Sequence, residues 1–164
     1  MEKRRSTILI SIVFIILIVI IYVLIKMSGF NFISEDYDGN PPNAILHYKD
    51  ESQLAKANIH WDKGNKEYIN KEVKDVKDFA LKQEEIFLPL GKEIGIELKE
   101  NGGDFNKHKT TVELWNSDSS GTKSKLALKD GTIILPREKG SYILEINLYA
   151  EEGHVQYLGN LKLN

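Results

Sequence analysis

The residues best suited to bind a metal ion are four histidines, and their spacing forms no ligand motif. They are His47, His60, His108 and His154. No two lie two, three or four positions apart, as neighbouring ligands on one strand or helix do. Cysteine is absent, which excludes disulfides, thiolate ligands and thiolate nucleophiles. We therefore predict no metal and no cofactor, while zinc held by histidines distant in sequence stays open as an alternative.

The residues that could act in catalysis also lack a recognisable arrangement. There is no G-x-S-x-G, no H-E-x-x-H, and no S-x-x-K accompanied by its partner motifs. The segment Ser119-Ser120-Gly121 is typical of a turn. The acid pairs Glu84-Glu85 and Glu151-Glu152 would point to opposite faces of a strand and could not act together. The sequence therefore predicts no catalytic residue and favours a protein that is not an enzyme.

Composition limits the kind of partner. The chain has 164 residues, enough for one ordinary domain. Its 22 basic and 24 acidic residues give a net charge of -2, whereas a nucleic-acid-binding domain usually has a basic face. We therefore expect no nucleic-acid partner.

An uncharged apolar run near the start predicts a membrane anchor. Ile8 to Ile25 contains no charged residue, and a helix that crosses a bilayer needs about 20 apolar residues. The chain is too small to bury such a helix inside its own core. A cleavable signal peptide is the competing interpretation, but its apolar part is shorter and ends at a small-residue cleavage site, which Lys26 to Phe30 does not supply. We predict an uncleaved signal anchor over 7–26.

The flanking charges predict the orientation of this anchor. Lys3, Arg4 and Arg5 precede the run, and basic flanks stay on the cytoplasmic side. Residues 1–6 would then be a cytoplasmic tail and residues 27–164 would lie outside the cell, on a single-pass membrane protein. Glycines and prolines within 27–42 are typical of a linker, which leaves 43–164 as the extracellular domain.

The outer region shows the alternation typical of β-strands. Ala55, Ala57, Ile59 and Trp61 are predicted to share one face, and further strands are predicted up to the C-terminus. Asp130-Gly131 predicts a tight hairpin, and Glu151-Glu152-Gly153 links two longer strands. Because short turns separate the strands, we expect a mainly β fold, an antiparallel sandwich.

One segment has helical spacing instead. Ile69, Val73, Val76 and Ala80 recur every three to four residues. The pattern predicts a short amphipathic helix over Ile69 to Gln83. Such a helix either packs on its own sheet, which we favour, or binds a partner.

The segment from Pro136 to Leu144 resembles the tyrosine corner of immunoglobulin-like sandwiches. In those domains a tyrosine opens the penultimate strand, and its hydroxyl bonds back to the preceding backbone. Tyr142 would be that residue, and Leu144 would stand where antibody domains have their second cysteine. Trp115 would lie on the third strand. The resemblance implies an immunoglobulin-like fold over Glu84 to Asn164, and by itself it implies no function.

The outer region also resembles a group of uncharacterised exported or membrane-anchored proteins of low-GC Gram-positive bacteria, which have a single such domain. No activity comes with this resemblance, and other members commonly have a tryptophan near Ala150, where this chain has none. The matching pieces are Pro41-Pro42-x-Ala44, His60-Trp61, Leu88-Pro89-x-Gly91-x-x-Ile94, Ile134-Leu135-Pro136, Lys139-Gly140-x-Tyr142 and Gly153-x-Val155-x-Tyr157.

Three functional hypotheses follow. We favour a non-catalytic, membrane-anchored module that binds an unknown protein, peptide or wall polymer. The alternatives are a sensory or regulatory outer domain that acts on a membrane partner, and a hydrolase with an unrecognised site. If its strand is regular, Tyr149 faces away from the core beside the Glu151 to Gly153 turn. We therefore predict that Tyr149 is partly exposed and is a possible partner contact, with a purely structural cross-strand role as the alternative.

Overall fold

The computed structural model describes residues 17, 19, 39–64, 66–99, 108–118 and 122–164. The chain divides into two units, Met1–Ser34 and Glu35–Asn164. Apart from Leu17 and Val19, which are helical, the predicted anchor over 7–26 lies outside the described residues. Within those residues, no helix combines the length and the apolar character that a membrane crossing requires.

The second unit is built mainly from β-strands. Its described residues form one helix, α1 (Val76–Leu81), and eleven strands. The strands are β1 (Asn43–His47), β2 (Glu51–Gln53), β3 (Ala55–Gly64), β4 (Glu67–Lys71), β5 (Glu85–Leu88), β6 (Glu93–Lys99), β7 (Lys109–Asn116), β8 (Lys123–Leu126), β9 (Thr132–Ile134), β10 (Gly140–Tyr149) and β11 (Gly153–Leu163).

The strands form two sheets with the apolar core between them. The smaller sheet has the order β2-β1-β6-β9, and the larger has the order β4-β3-β11-β10-β7-β8. The predicted mainly β, sandwich-like architecture with one short helix is confirmed. The prediction of antiparallel pairing holds with one exception, because β5 runs parallel to β11.

Alternation along the two longest strands fills the core. Every second side chain of β10 and β11 points between the sheets, as the period of two requires. These residues are at most 6% exposed: Tyr142, Leu144, Ile146, Leu148, Val155, Tyr157, Leu161 and Leu163.

A bulge corrects the predicted face of β3. Ile59 and Trp61 lie in the core as predicted. Ala57 instead packs outside the larger sheet, in a separate apolar cluster that includes Ala80 of α1. The register with β11 shifts by one residue between the pairs Val155↔Ile59 and Tyr157↔Lys56. An extra residue on one strand reverses the side-chain alternation, so the prediction was wrong for Ala57 and for Ala55, which pairs with Leu158 of the same separate cluster.

The helix is shorter than predicted. Ile69 lies in β4, opposite Trp61, so the helical interpretation was wrong for the first part of the segment. The helix starts only after Asp75, whose carboxylate accepts a hydrogen bond from the backbone N–H of Asp78. Such an N-cap satisfies one of the N–H groups that a helix start leaves without a partner. The apolar face of α1 packs on the larger sheet, which is the packing role that we favoured.

Both predicted turns form, but only one of them joins two paired strands. Glu151–Gly153 joins the paired strands β10 and β11, as predicted. Asp130 and Gly131 both have positive φ, as a tight turn requires. Reciprocal backbone hydrogen bonds join Lys129 and Thr132 across this turn, so the predicted tight hairpin turn is confirmed, although it does not extend into paired strands because β8 belongs to the larger sheet and β9 to the smaller one. The turn therefore sits where the chain crosses between sheets.

Tyr142 forms the predicted corner contact. Its side chain is 6% exposed, and its hydroxyl donates to the carbonyl oxygen of Glu138 at 3.2 Å. Burial, with a smaller contribution from the Glu138 charge, raises the pKa of the Tyr142 phenol. The predicted burial and backbone hydrogen bond are thus both confirmed.

The last residues of the predicted linker pack on the domain. Gly39, Pro41 and Pro42 are buried. The Trp61 indole N–H donates to the carbonyl of Gly39 at 3.1 Å, and the Tyr157 hydroxyl donates to that of Pro42 at 2.8 Å. Residues 39–42 are therefore part of the folded domain in this structure.

Candidate functional site

Tyr149, the predicted contact residue, lies at the end of β10. Its side chain is 47% exposed, and it stands two residues before the Glu151–Gly153 turn. Its ring stacks on that of His154 across the hairpin, with centroids 4.5 Å apart and planes at 17°. The predicted exposure is confirmed. The stacking also supplies the structural role that was the alternative, so a partner contact at Tyr149 stays a prediction.

A buried carboxylate lies on the outer face of the larger sheet, four residues before Tyr149 on β10. Glu145 is 4% exposed. One of its oxygens accepts hydrogen bonds from the amides of Asn147 and Gln156, and the other accepts from Lys123 at 2.6 Å. A buried charge needs such partners because it has lost its water. We call Glu145 and these three partners the outer-face cluster.

The outer-face cluster keeps Glu145 ionised. Burial alone would raise the pKa of this carboxyl group. The hydrogen bonds from Lys123, Asn147 and Gln156, together with the Lys123 charge, outweigh burial and hold the pKa below its usual value. A proton donor or base for catalysis has its pKa moved toward neutrality. The shift at Glu145 has the opposite direction, which fits a structural ion pair.

Hydrogen bonds extend the outer-face cluster in two directions. The side-chain amide oxygen of Gln156 accepts a hydrogen bond from the side-chain N–H of Asn58. The side-chain oxygen of Asn58 in turn accepts from the backbone N–H of Val73, just before α1. On the other side, Asn147 bonds to the imidazole of His154 at 3.1 Å. Burial, and then the neighbouring His60, lower the pKa of His154. The cluster thus helps to position Val73, which precedes α1, and the His154 ring, which stacks on Tyr149.

The histidines His47, His60 and His154 do not come together at one place: they are divided between the two sheets. His47 bonds to Glu97 at 2.7 Å, on the smaller sheet. His60 and His154 are cross-strand neighbours on the larger sheet. Among the described residues, no group of three or more histidine, aspartate or glutamate side chains is placed to hold a metal ion.

A concave site of about 780 Å³ lies between β2 and β5, and we call it the β2–β5 cleft. Residues 48–53 form one wall and residues 83–89 form the other, with 158–160 of β11 at its floor. The sequence analysis did not predict this cleft. Its walls are about thirty residues apart in the chain and meet only through tertiary structure.

The chain path explains why the cleft exists. β3 pairs with β11 only as far as Leu158, and the chain before it crosses to the smaller sheet as β2. β5 continues along β11 from Asn160. Gly159 stands at the change of partner, where a Cβ would come within 2.7 Å of the Leu54 side chain. The amide of Asn160 donates to the carbonyl of Gln83 at 3.2 Å and holds the segment before β5 in place.

The groups that line the β2–β5 cleft include a hydroxyl residue and exposed aromatic rings. Ser52 is a hydroxyl residue of the lining, but no histidine is among the described residues there to activate it. Phe87 is 62% exposed and Tyr48 is 38% exposed, so the cleft presents aromatic surface. Large exposed aromatic residues are typical of contact sites.

Comparisons with known proteins supply no relative. No protein-family model matches the chain, and neither a curated protein nor a solved structure matches it. The functional argument therefore depends on the chain's own residues.

Proposed function

We propose that this protein is a non-catalytic, membrane-anchored binding module whose outer domain contacts a protein, peptide or wall polymer. The observation that carries the proposal is the β2–β5 cleft, in which two sheet edges and the exposed ring of Phe87 come together. A concave site with an exposed aromatic residue is the usual place for a ligand. No histidine accompanies Ser52 among the described residues of the lining, so the Ser–His pair of a serine hydrolase is not formed at this cleft.

The proposal places the anchor at 7–26 and residues 27–164 outside the cell. The uncharged run from Ile8 to Ile25, behind three basic residues, supports this arrangement. The bilayer is then the first partner of the protein. Export of the domain is in keeping with its resemblance to the exported single-domain proteins of low-GC Gram-positive bacteria.

We also propose that the domain is immunoglobulin-like from β5 onward. In variable-type immunoglobulin domains the strands C′, C, F and G are neighbours in one sheet. The neighbours β8, β7, β10 and β11 have the same sequence order, and Tyr142 opens the strand that would be F. Trp115 departs from the antibody pattern, because it packs with Ala80 outside the sheet rather than in the main core.

Protease added to intact, wall-stripped cells tests the location. The outer domain should be removed while a cytoplasmic marker stays intact. Full protection of the domain, or a mature N-terminus near Ser28, would contradict the proposed anchor.

Affinity capture from detergent-solubilised cells tests the binding role. A partner that the wild-type chain captures should no longer be captured by the Phe87→Ser variant. The Ile134→Ser variant should still capture it. Ile134 is a matched control because it is 67% exposed on β9 and does not line the cleft. Equal retention by both variants would contradict the cleft as the binding site. Loss with Tyr149→Ser at an unchanged melting curve would place the contact at the hairpin instead.

A further inference from the structure

We infer that the β2–β5 cleft takes an extended, positively charged peptide segment, which adds as a strand to the free edge of β5. This inference rests on the proposed binding function and names its partner class. Three features of the cleft carry it, namely an unpaired strand edge, an excess of carboxylates and an exposed aromatic ring.

The first feature is the edge of β5. Among the described strands, β5 pairs only with β11. The Leu88 carbonyl turns toward β11, since it accepts from the backbone N–H of Asn164. Peptide groups alternate sides along a strand, so those of Glu85 and Phe87 point to the open side. Unpaired N–H and C=O groups of this kind are the template on which an extended peptide adds to a sheet.

The second feature is charge. Five charged residues line the cleft, and four of them are acidic: Lys49, Asp50, Glu51, Glu84 and Glu85. Glu84 and Glu85 are exposed, and within the described part of the chain no basic side chain forms an ion pair with either. Complementary charge steers association and selects partners. The charge of the cleft therefore favours a peptide that carries lysine or arginine.

The third feature is the ring of Phe87. It projects from β5 on the side opposite Ile86 and Leu88, which pack on the core. The side chains of an added strand would alternate in the same way, so one set would lie against Phe87 and the other would point toward the opposite wall of the cleft, which contains Asp50 and Glu51. An apolar residue next to a basic residue in the peptide would thus contact both the ring and the carboxylates.

A second copy of this chain fits the edge less well. Pairing two β5 edges would bring Glu84 and Glu85 of one copy against the same residues of the other. Like charges placed opposite each other disfavour strand pairing. Charged residues also protect a strand edge from unwanted pairing. The alternative is therefore that Glu84 and Glu85 only protect the β5 edge, and the experiment has to distinguish this role from peptide binding.

The experiment measures binding of fluorescein-labelled peptides of about ten residues to the detergent-solubilised full chain by fluorescence polarisation. One peptide alternates lysine with valine, a second alternates glutamate with valine, and a third is the lysine peptide with an N-methyl group on every backbone amide, which blocks both edges. We expect the lysine peptide to bind at least about tenfold more tightly than either of the others. Equal binding of the N-methylated peptide would overturn strand addition, and equal binding of the acidic peptide would overturn the charge assignment.

Matched variants locate the site. Glu84→Lys with Glu85→Lys should weaken the lysine peptide at least about tenfold. Asp118→Lys with Glu138→Lys changes the net charge equally at exposed acids outside the cleft and should leave binding unchanged. Equal weakening by both pairs would reduce the effect to net charge and overturn the site. If the first pair does not fold, the N-methylated peptide still tests the inference on the wild-type chain.

Two further outcomes separate this inference from the proposed function. Capture that depends on Phe87, without preference for the lysine peptide, would keep the binding module and overturn its partner class. Sedimentation that shows a dimer, lost with Phe87→Ser, would make a second copy the occupant and would also overturn the inference.

Discussion

The two halves of β11 are completed by different strands, and only one half is covered. From Gly153 to Leu158 the edge of β11 is paired by β3, and β4 lies outside β3. From Asn160 to Leu163 the same edge is paired by β5, and no described strand lies outside it. We call these the covered half and the open half.

The difference separates what holds the fold from what meets a partner. In the covered half, the backbone packs closely around Gly153. The side chains of the outer-face cluster hold one another through hydrogen bonds. In the open half, the side chains of Phe87, Glu84 and Glu85 are exposed and have no comparable role in stabilising the fold. Changes in the covered half should therefore reduce stability, and changes in the open half should reduce binding.

The largest loss of stability is expected from Gly153→Ala. Gly153 has a φ of 149°, which favours glycine, and an added Cβ would overlap the carbonyl oxygen of His60. Backbone strain of about 1–3 kcal/mol adds to a steric cost of similar size, so we expect a loss of about 2–6 kcal/mol in urea unfolding.

Gly64→Ala is the matched control for this prediction. Gly64 also has positive φ, but a Cβ there would meet no atom within 4 Å. We expect a loss of about 1–2 kcal/mol from strain alone. Equal losses in the two variants would show that the backbone contact at Gly153 contributes nothing.

A smaller loss is expected from Lys123→Met. The change leaves the Glu145 carboxylate buried without its ammonium partner, at a cost of about 1–3 kcal/mol. Lys125→Met on the same strand is the control, since its side chain is exposed and outside the cluster. An unfolding free energy that is the same for both variants would contradict the importance of the ion pair.

The same cluster predicts how stability depends on pH. The pKa of Glu145 is lower in the folded chain than in the unfolded chain. Its contribution is therefore complete above the usual carboxyl pKa of about 4.3 and is lost as the pH falls through the lowered value. Glu145→Gln should flatten the decline of the unfolding free energy in acid. An unchanged acid profile would show that other carboxyl groups cause the decline.

The smallest of these losses is expected at the tyrosine corner. Tyr142→Phe removes one hydrogen bond to the Glu138 carbonyl, worth about 0.5–1.5 kcal/mol. Tyr68→Phe is the control because Tyr68 is 71% exposed. A thermal midpoint for Tyr142→Phe that equals the control would leave the corner without a stabilising role.

The covered half was largely predictable from sequence, because its signals are local. Alternation along β10 and β11 predicted the core and the exposure of Tyr149. The helix start was predicted too early because the spacing of Ile69 and Val73 imitates a helix, although Asp75 carried an N-cap signal that could have corrected it.

The open half was not predictable in the same way. Even in the covered half, alternation could not reveal the bulge at Ala57, because the bulge depends on the partner strand. The cleft depends on β5 joining β11 in parallel, a pairing between residues about 75 positions apart in the chain. Glu84-Glu85 was visible as an acid pair in the sequence, but nothing local indicated that β2 would face it.

Residue-resolved amide hydrogen exchange on the detergent-solubilised full chain tests the central claim most directly. The N–H groups of Glu85 and Phe87 point to the open side of β5 and should exchange rapidly in the free protein. Saturating lysine–valine peptide should slow them, while the amides of β4 keep their rates. Unchanged exchange at Glu85 and Phe87 with the peptide at saturation would contradict strand addition at this edge.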